Sequence, residues 1–174
     1  MTGGTITKLA RAAAEEYVRQ QAYLLMPAHL PPDLLRQHAC YVTIYENPGR
    51  HFRAAFGHPL SKYSTLAEEV IRHTIDAIRH NTAHPLRPID LPYLVYSVTV
   101  LSALERISRP EHLDPETYGL YLRSDRQKTA IILPGRTGIE TPQDQIATAY
   151  READIDSRAE VATLYRFNVK AYEG

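Results

Sequence analysis

Apolar residues recur along this chain with two different periods. Near its start, Ile6, Leu9, Ala10, Ala13, Tyr17 and Leu24 approximate a 3.6-residue stripe, with Lys8, Arg11, Glu15 and Arg19 falling elsewhere. The pattern predicts a helix with an Ala-rich packing face, stopped by Pro27, Pro31 and Pro32, since proline cannot continue a helix. A sharper helical stripe runs through Leu66, Ala67, Val70, Ile71, Thr74, Ile75 and Ile78. Thr65 and Glu68 have capping-box spacing at its start, in which each side chain bonds the other's free backbone N–H. Its polar face carries Glu68, Arg72, Asp76 and Arg79, and Arg72 and Asp76 are spaced to pair.

The second period is that of strands. Residues 40–45, Cys-Tyr-Val-Thr-Ile-Tyr, are rich in β-branched and aromatic types. Glu46-Asn47-Pro48-Gly49 is turn chemistry, and residues 50–57 form the return strand of a hairpin. A four-residue turn would pair Tyr45 with Arg50 and set Cys40 opposite Ala55. After a proline-rich loop at 81–92, residues 93–101 are almost continuously apolar or small, which predicts a central strand covered on both faces. Residues 118–123 and 129–133 read as a strand pair around 124–128. Thr141, Pro142 and Asp144 then open a helix as N-cap, first-turn proline and N3 acid. Tyr165, Phe167, Val169 and Ala171 alternate with polar residues as one half-buried strand. Hairpins dominate over strict strand–helix alternation. The expected class is α+β, a mainly antiparallel sheet flanked by helices.

Composition narrows the function classes. Lys and Arg total 20, Asp and Glu total 20, and the formal net charge is zero. That balance argues against a broad electrostatic grip on nucleic acid or an anionic membrane, and neither is expected as a partner. A chain of 174 residues with 44% hydrophobic content is expected to form one domain. No apolar run approaches a membrane span or a signal peptide, so a cytoplasmic protein is expected. One cysteine permits neither an internal disulfide nor a multi-cysteine zinc site.

The candidate chemistry is sparse. Cys40 is the only thiol and hence the one cysteine nucleophile available. His80 and His84 are four apart, the spacing that puts two metal ligands on one helix face, although Asn81 and Pro85 argue that the helix frays there. Without a Glu between them they do not make the His-Glu-x-x-His zinc motif. Gly135-Arg136-Thr137-Gly138 has the outline of an RNA-clamping loop but lacks basic surroundings. There is no Gly-x-Gly-x-x-Gly, P-loop or Gly-x-Ser-x-Gly, and no cofactor is expected.

Several segments in order along the chain resemble the AMMECR-type domain family. They are Tyr41-Val42-Thr43, the stretch Asp90 to Val98 reading DLPYLVYSV, Leu113 to Gly119 reading LDPETYG, Leu133-Pro134, Gly138 to Gln145 reading GIETPQDQ, and Tyr165-Arg166-Phe167. The resemblance covers residues 5–173 and implies a single AMMECR-like domain, residues 1–174, with a larger and a smaller lobe and no separate linker. It also places the family's Arg-Gly-Cys-Ile-Gly motif on Arg53-Ala54-Ala55-Phe56-Gly57. The Arg and the last Gly are kept, and Ala55 stands where the family has cysteine. A second family motif, Asp-Pro-Arg-Phe, falls on His80-Asn81-Thr82-Ala83, where its Asp and Arg are gone.

By this resemblance Arg53, Ala55 and Gly57 line the family's cleft. It implies an accessory or interaction module that acts with a Memo-like protein of dioxygenase fold and a radical S-adenosylmethionine (radical SAM) enzyme. The alternative is an enzyme of unknown reaction in a cleft between the lobes. Its chemistry would pass to Cys40, or to Arg53 and His84 acting on an anionic substrate. Binding of a metal or small molecule without turnover is the third reading, with His80 and His84 as the metal candidates.

Overall fold

In the computed structural model, which describes residues 2–174, eight strands form two separate antiparallel sheets of four. The chain divides into two compact units, residues 1–100 with 170–174, and residues 101–169.

The first unit holds α1 (Thr2–Gln20), β1 (Cys40–Glu46), β2 (His51–Gly57), α2 (Leu66–His80), β3 (Leu94–Leu101) and, from the chain's end, β8 (Val169–Glu173). Its sheet has the order β2-β1-β3-β8, so β2 and β8 are the edges. Ile6, Leu9, Ala10 and Ala13 of α1 are buried, as the stripe predicts. Ala67, Val70, Ile71 and Ala77 of α2 belong to the same core. Val42, Ile44, Tyr96 and Val98 close the core from the sheet side. Each fully buried aliphatic side chain contributes about 1.5–3 kcal/mol.

Several local expectations change. Helix α1 stops at Gln20, well before the prolines, because Gln21 takes a positive φ of 56° and turns the chain away. Leu24 lies beyond the helix and still packs on the core. Thr65 caps α2 by accepting from the Glu68 N–H, while Arg72 lies 3.9 Å from Glu68 rather than pairing with Asp76. Asp76 lies 3.9 Å from Arg79 instead. Strand β3 buries Leu94, Tyr96 and Val98 on one face and leaves Val95, Ser97 and Thr99 half-buried. It is interior in the sheet without being covered equally on both faces.

The second unit holds β4 (Glu105–Ile107), β5 (Gly119–Ser124), β6 (Thr129–Ile132), α3 (Pro142–Glu152) and β7 (Ala162–Phe167), with sheet order β4-β7-β5-β6. Thr141 and Asp144 form a complete capping box at α3. Leu120, Leu122, Ile132, Ile139 and Ala149 form its core. The alternating run from Tyr165 to Ala171 is two strands, not one. It breaks at Asn168, whose backbone N–H donates to Ser102 Oγ at 2.9 Å, and β7 and β8 join different sheets. Period-2 alternation continues across a break of one residue, so the pattern alone does not reveal it.

Candidate functional site

The hairpin β1–β2 carries the residues that the sequence singles out. Its register runs Tyr41↔Gly57, Val42↔Phe56, Thr43↔Ala55 and Ile44↔Ala54, then jumps to Tyr45↔Phe52. Arg53 is therefore the extra residue of a β-bulge, a device that re-aims a side chain out of the regular pleat. Its guanidinium meets the Glu46 carboxylate through Nη1, and its Nη2 lies 3.9 Å from Asp90 Oδ2. Asp90 also accepts from the Arg87 backbone N–H at 2.9 Å and from Arg87 Nη2 at 3.2 Å. The Arg87 hydrogen bonds hold the Asp90 carboxyl below its ordinary range. Glu46, Arg53, Asp90 and Arg87 form an alternating string of charge with no net excess. Arg53 is thus a paired cation, 17% exposed at its side chain, and not an open anion receptor.

Two hollows meet at Arg53. One, of about 390 Å³, is lined by Glu46, Arg53, His84, Arg87 and Asp90 among others. The other, of about 210 Å³, runs along β2 past Ala54 and Ala55 to Ala77 and His80 at the end of α2. Ala55 is exposed. Gly57 is required by sterics, since a Cβ there would sit 2.6 Å from Tyr41 Cα and collide with the Tyr41 ring.

The register also corrects the placement of the thiol. Ala55 faces Thr43, so Cys40 does not stand across the ladder from the motif position. The reason is twofold: the turn spans residues 47–50 rather than 46–49, since Glu46 pairs with His51, and the bulge then shifts every pairing beyond it by one more residue. Cys40 points into the core and is fully buried. Burial pushes its thiol above the ordinary value, and the charge of Glu69 adds to that. The nucleophilic thiolate is disfavoured on both counts.

The two candidate metal ligands are not held together by a helix. His80 is the last residue of α2, and its ring Nδ1 donates to the Asp76 carbonyl at 2.7 Å while the ring stacks on Phe56 with centroids 4.9 Å apart. His84 lies in the following loop, where its carbonyl accepts from Asn81 Nδ2 at 2.8 Å. Among the described residues no group of three or more His, Cys, Asp or Glu is placed to hold a metal ion.

Comparison with known proteins gives this arrangement a family. The AMMECR1 family profile matches residues 7–172. The chain belongs to the AMMECR1 family. A protein of Clostridium acetobutylicum is 33% identical over 109 residues, which are 62% of this chain and 23% of that protein. One from Thermococcus gammatolerans is 34% identical over 117 residues, 65% of this chain and 57% of its own length. The chain thus spans only part of these two relatives. A third, from Thermococcus onnurineus, is 27% identical over 188 residues, with 98% of this chain and 89% of that protein covered. The crystal structure of an uncharacterised protein from Pyrococcus horikoshii has the same fold, with a TM-score of 0.82 at 23% identity over 98% of this chain and 90% of its own.

The most polar buried feature of this AMMECR1 chain escaped the sequence reading. Glu69 and His73 lie on the core face of α2 and are closed off from solvent. Glu69 Oε2 lies 3.0 Å from His73 Nε2. Glu69 Oε1 accepts from Ser61 Oγ and from the Tyr63 N–H, each at 2.8 Å, and from the Lys62 N–H. His73 Nδ1 donates to the Cys40 carbonyl at 3.0 Å. Burial pushes the His73 imidazole down, and Glu69 pulls it the other way. This cluster ties loop 58–65 and the start of β1 to α2. The signal was there to find: positions 66, 69, 73 and 77 follow one helical row, and two of them carry an acid and an imidazole.

Proposed function

We propose that this AMMECR1 chain is an accessory module that works in the cytoplasm with a Memo-like protein of dioxygenase fold and a radical SAM enzyme, and is not a catalyst in its own right. The observation that carries the reading is the composition of the motif strand. Ala55 stands where the resemblance places the family's cysteine, Arg53 is neutralised by Glu46 and Asp90, and the only thiol is buried. Acyl or group transfer needs an activated nucleophile beside a base. The pair nearest to that description, Cys40 and His73, is sealed in the core. A motif strand without an exposed thiol serves recognition better than covalent turnover.

The test is capture of partners by the tagged chain from its own source, followed by reconstitution with the purified Memo-like protein. A one-to-one complex in sedimentation supports the reading. Absence of complex at tens of micromolar, with both proteins folded, overturns it.

The 390 Å³ hollow favours a second reading, that of a small-ligand site, because its volume lies in the range of known pockets and His84 faces charged groups there. Thermal-shift screening with small carboxylates and phosphates tests that reading. A shift abolished by His84→Ala supports it, and no shift across the set removes it.

A further inference from the structure

We propose that the free edge of β2 is a docking site for an extended segment of a partner protein, which adds a fifth strand to the β2-β1-β3-β8 sheet. The proposal rests on the accessory reading and deepens it by naming the surface and the binding mode.

Ladder geometry fixes which backbone groups are free. Tyr96 and Gly174 exchange both hydrogen bonds, at 2.9 and 3.0 Å, so Tyr96 and its alternates in β3 bond toward β8. The remaining residues of β3 bond toward β1. In β1 the odd-numbered residues therefore face β3, and the Asn47 N–H continues that row by donating to the Tyr93 carbonyl at 2.9 Å. The even-numbered residues of β1 face β2, and the His58 N–H reaches the Cys40 carbonyl at 3.4 Å in that row. Their ladder partners are Ala54 and Phe56. Ala55 and Gly57 consequently turn both N–H and C=O away from β1, at an edge with no further strand.

Natural proteins usually block such an edge with proline, lysine, an inward charge or a bulge; the bulge of β2 lies at Arg53, and residues 54–57 beyond it keep a regular register with β1. Residues 51–57, His-Phe-Arg-Ala-Ala-Phe-Gly, contain neither proline nor lysine, and the one guanidinium is drawn aside to Glu46 and Asp90. The side chains at 54, 55 and 57 are small or absent, which lets another backbone approach. The 210 Å³ hollow beside the edge has an alanine wall of Ala54, Ala55 and Ala77 and a polar rim of Arg53, His80 and Asn81, next to Phe52, which is 64% exposed. An apolar cavity of about 150 Å³ holds a benzene ring. By size, the hollow has room for one leucine- or phenylalanine-sized side chain against its alanine wall. Alternating backbone donors and acceptors are matched by an extended chain, and the hollow selects one apolar residue on it.

The test uses twelve-residue random peptides displayed on phage, selected on the full chain and counter-selected on Ala55→Pro. Proline at 55 removes an outward N–H and no bond of the β1–β2 ladder. Enriched peptides are expected to share an apolar residue and to bind wild type and Ala55→Ser alike. They should bind Ala55→Pro at least about tenfold more weakly, the equivalent of one lost hydrogen bond. Bound peptide should slow hydrogen exchange at Ala55 and Gly57 and leave Ala54 and Phe56 unchanged. If Ala55→Pro does not fold, that exchange pattern in wild type decides alone. The proposal falls if no peptide is enriched, if peptides bind both variants equally, if the Ala55 and Gly57 amides are already slow in the free protein, or if β2 pairs with a second copy in sedimentation. A Memo-like protein retained equally by wild type and Ala55→Pro would overturn the edge and leave the accessory reading standing. Failure of wild type to retain it would sink the accessory reading itself.

Discussion

Thr43 stands directly across the β1–β2 ladder from Ala55, and the chain's only thiol is elsewhere. The motif strand therefore presents a methyl group where the family resemblance places cysteine. In native protein Cys40 should be alkylated by iodoacetamide at least about a hundredfold more slowly than in urea, since reaction waits on opening of the core. Ala55→Cys should gain one rapidly labelled site at position 55. Mass spectrometry of the labelled peptides checks both, and fast native labelling of Cys40 would contradict the burial described here.

Glu69→Ala should be among the most damaging single changes in the first unit. It strips the Lys62 and Tyr63 amides and the Ser61 hydroxyl of their common acceptor, a carboxylate closed off from solvent. The expected loss is about 3 kcal/mol or more, read from urea unfolding. Glu68→Ala, one position away on the half-exposed face, should cost under about 1 kcal/mol. Equal effects would show that the buried clamp contributes nothing special.

Asp90 supplies the pH dependence. Its hydrogen bonds from Arg87 hold the folded-state carboxyl below its unfolded value of 3.8. The contribution is therefore complete above that value and is lost as pH falls through the lower folded one. Asp90→Asn should be less stable than wild type at neutral pH, and the two should converge as pH falls through the lowered folded-state value. Acid titrations followed by circular dichroism measure this. A difference that persists undiminished at low pH would assign Asp90 a role other than charge.

Two glycines should respond with opposite sign. Gly57→Ala forces a methyl group against the Tyr41 backbone and should destabilise by about 1–3 kcal/mol. Gly4, exposed in α1 with open space at its Cβ position, should gain about 0.5–1 kcal/mol as alanine. Thermal melts of the two variants settle the comparison.

Much of the architecture was legible because it is local. The stripes of α1 and α2, the caps at Thr65 and Thr141 and the Asn47-Pro48-Gly49 turn depend on residues within a turn or two of each other. The sequence alone therefore determined the α+β class, most elements and the position of the motif strand. The family resemblance also set Ala55 at the position of the motif cysteine. Tertiary structure decided what long-range pairing controls. A turn at 47–50 instead of 46–49, together with a one-residue bulge at Arg53, moved Cys40 out of register with Ala55, and the partition of strands between two sheets split the run from Tyr165 to Ala171. The edge position of β2, and with it the free amides of Ala55 and Gly57, follows from which strands fail to arrive beside it. No periodicity within residues 51–57 carries that information. The Glu69–His73 clamp likewise acquires its meaning from loop 58–65 and β1, whose carbonyl and amides close around it. Hydrophobic spacing reports which face of an element is buried. It does not report which distant backbone will meet that face.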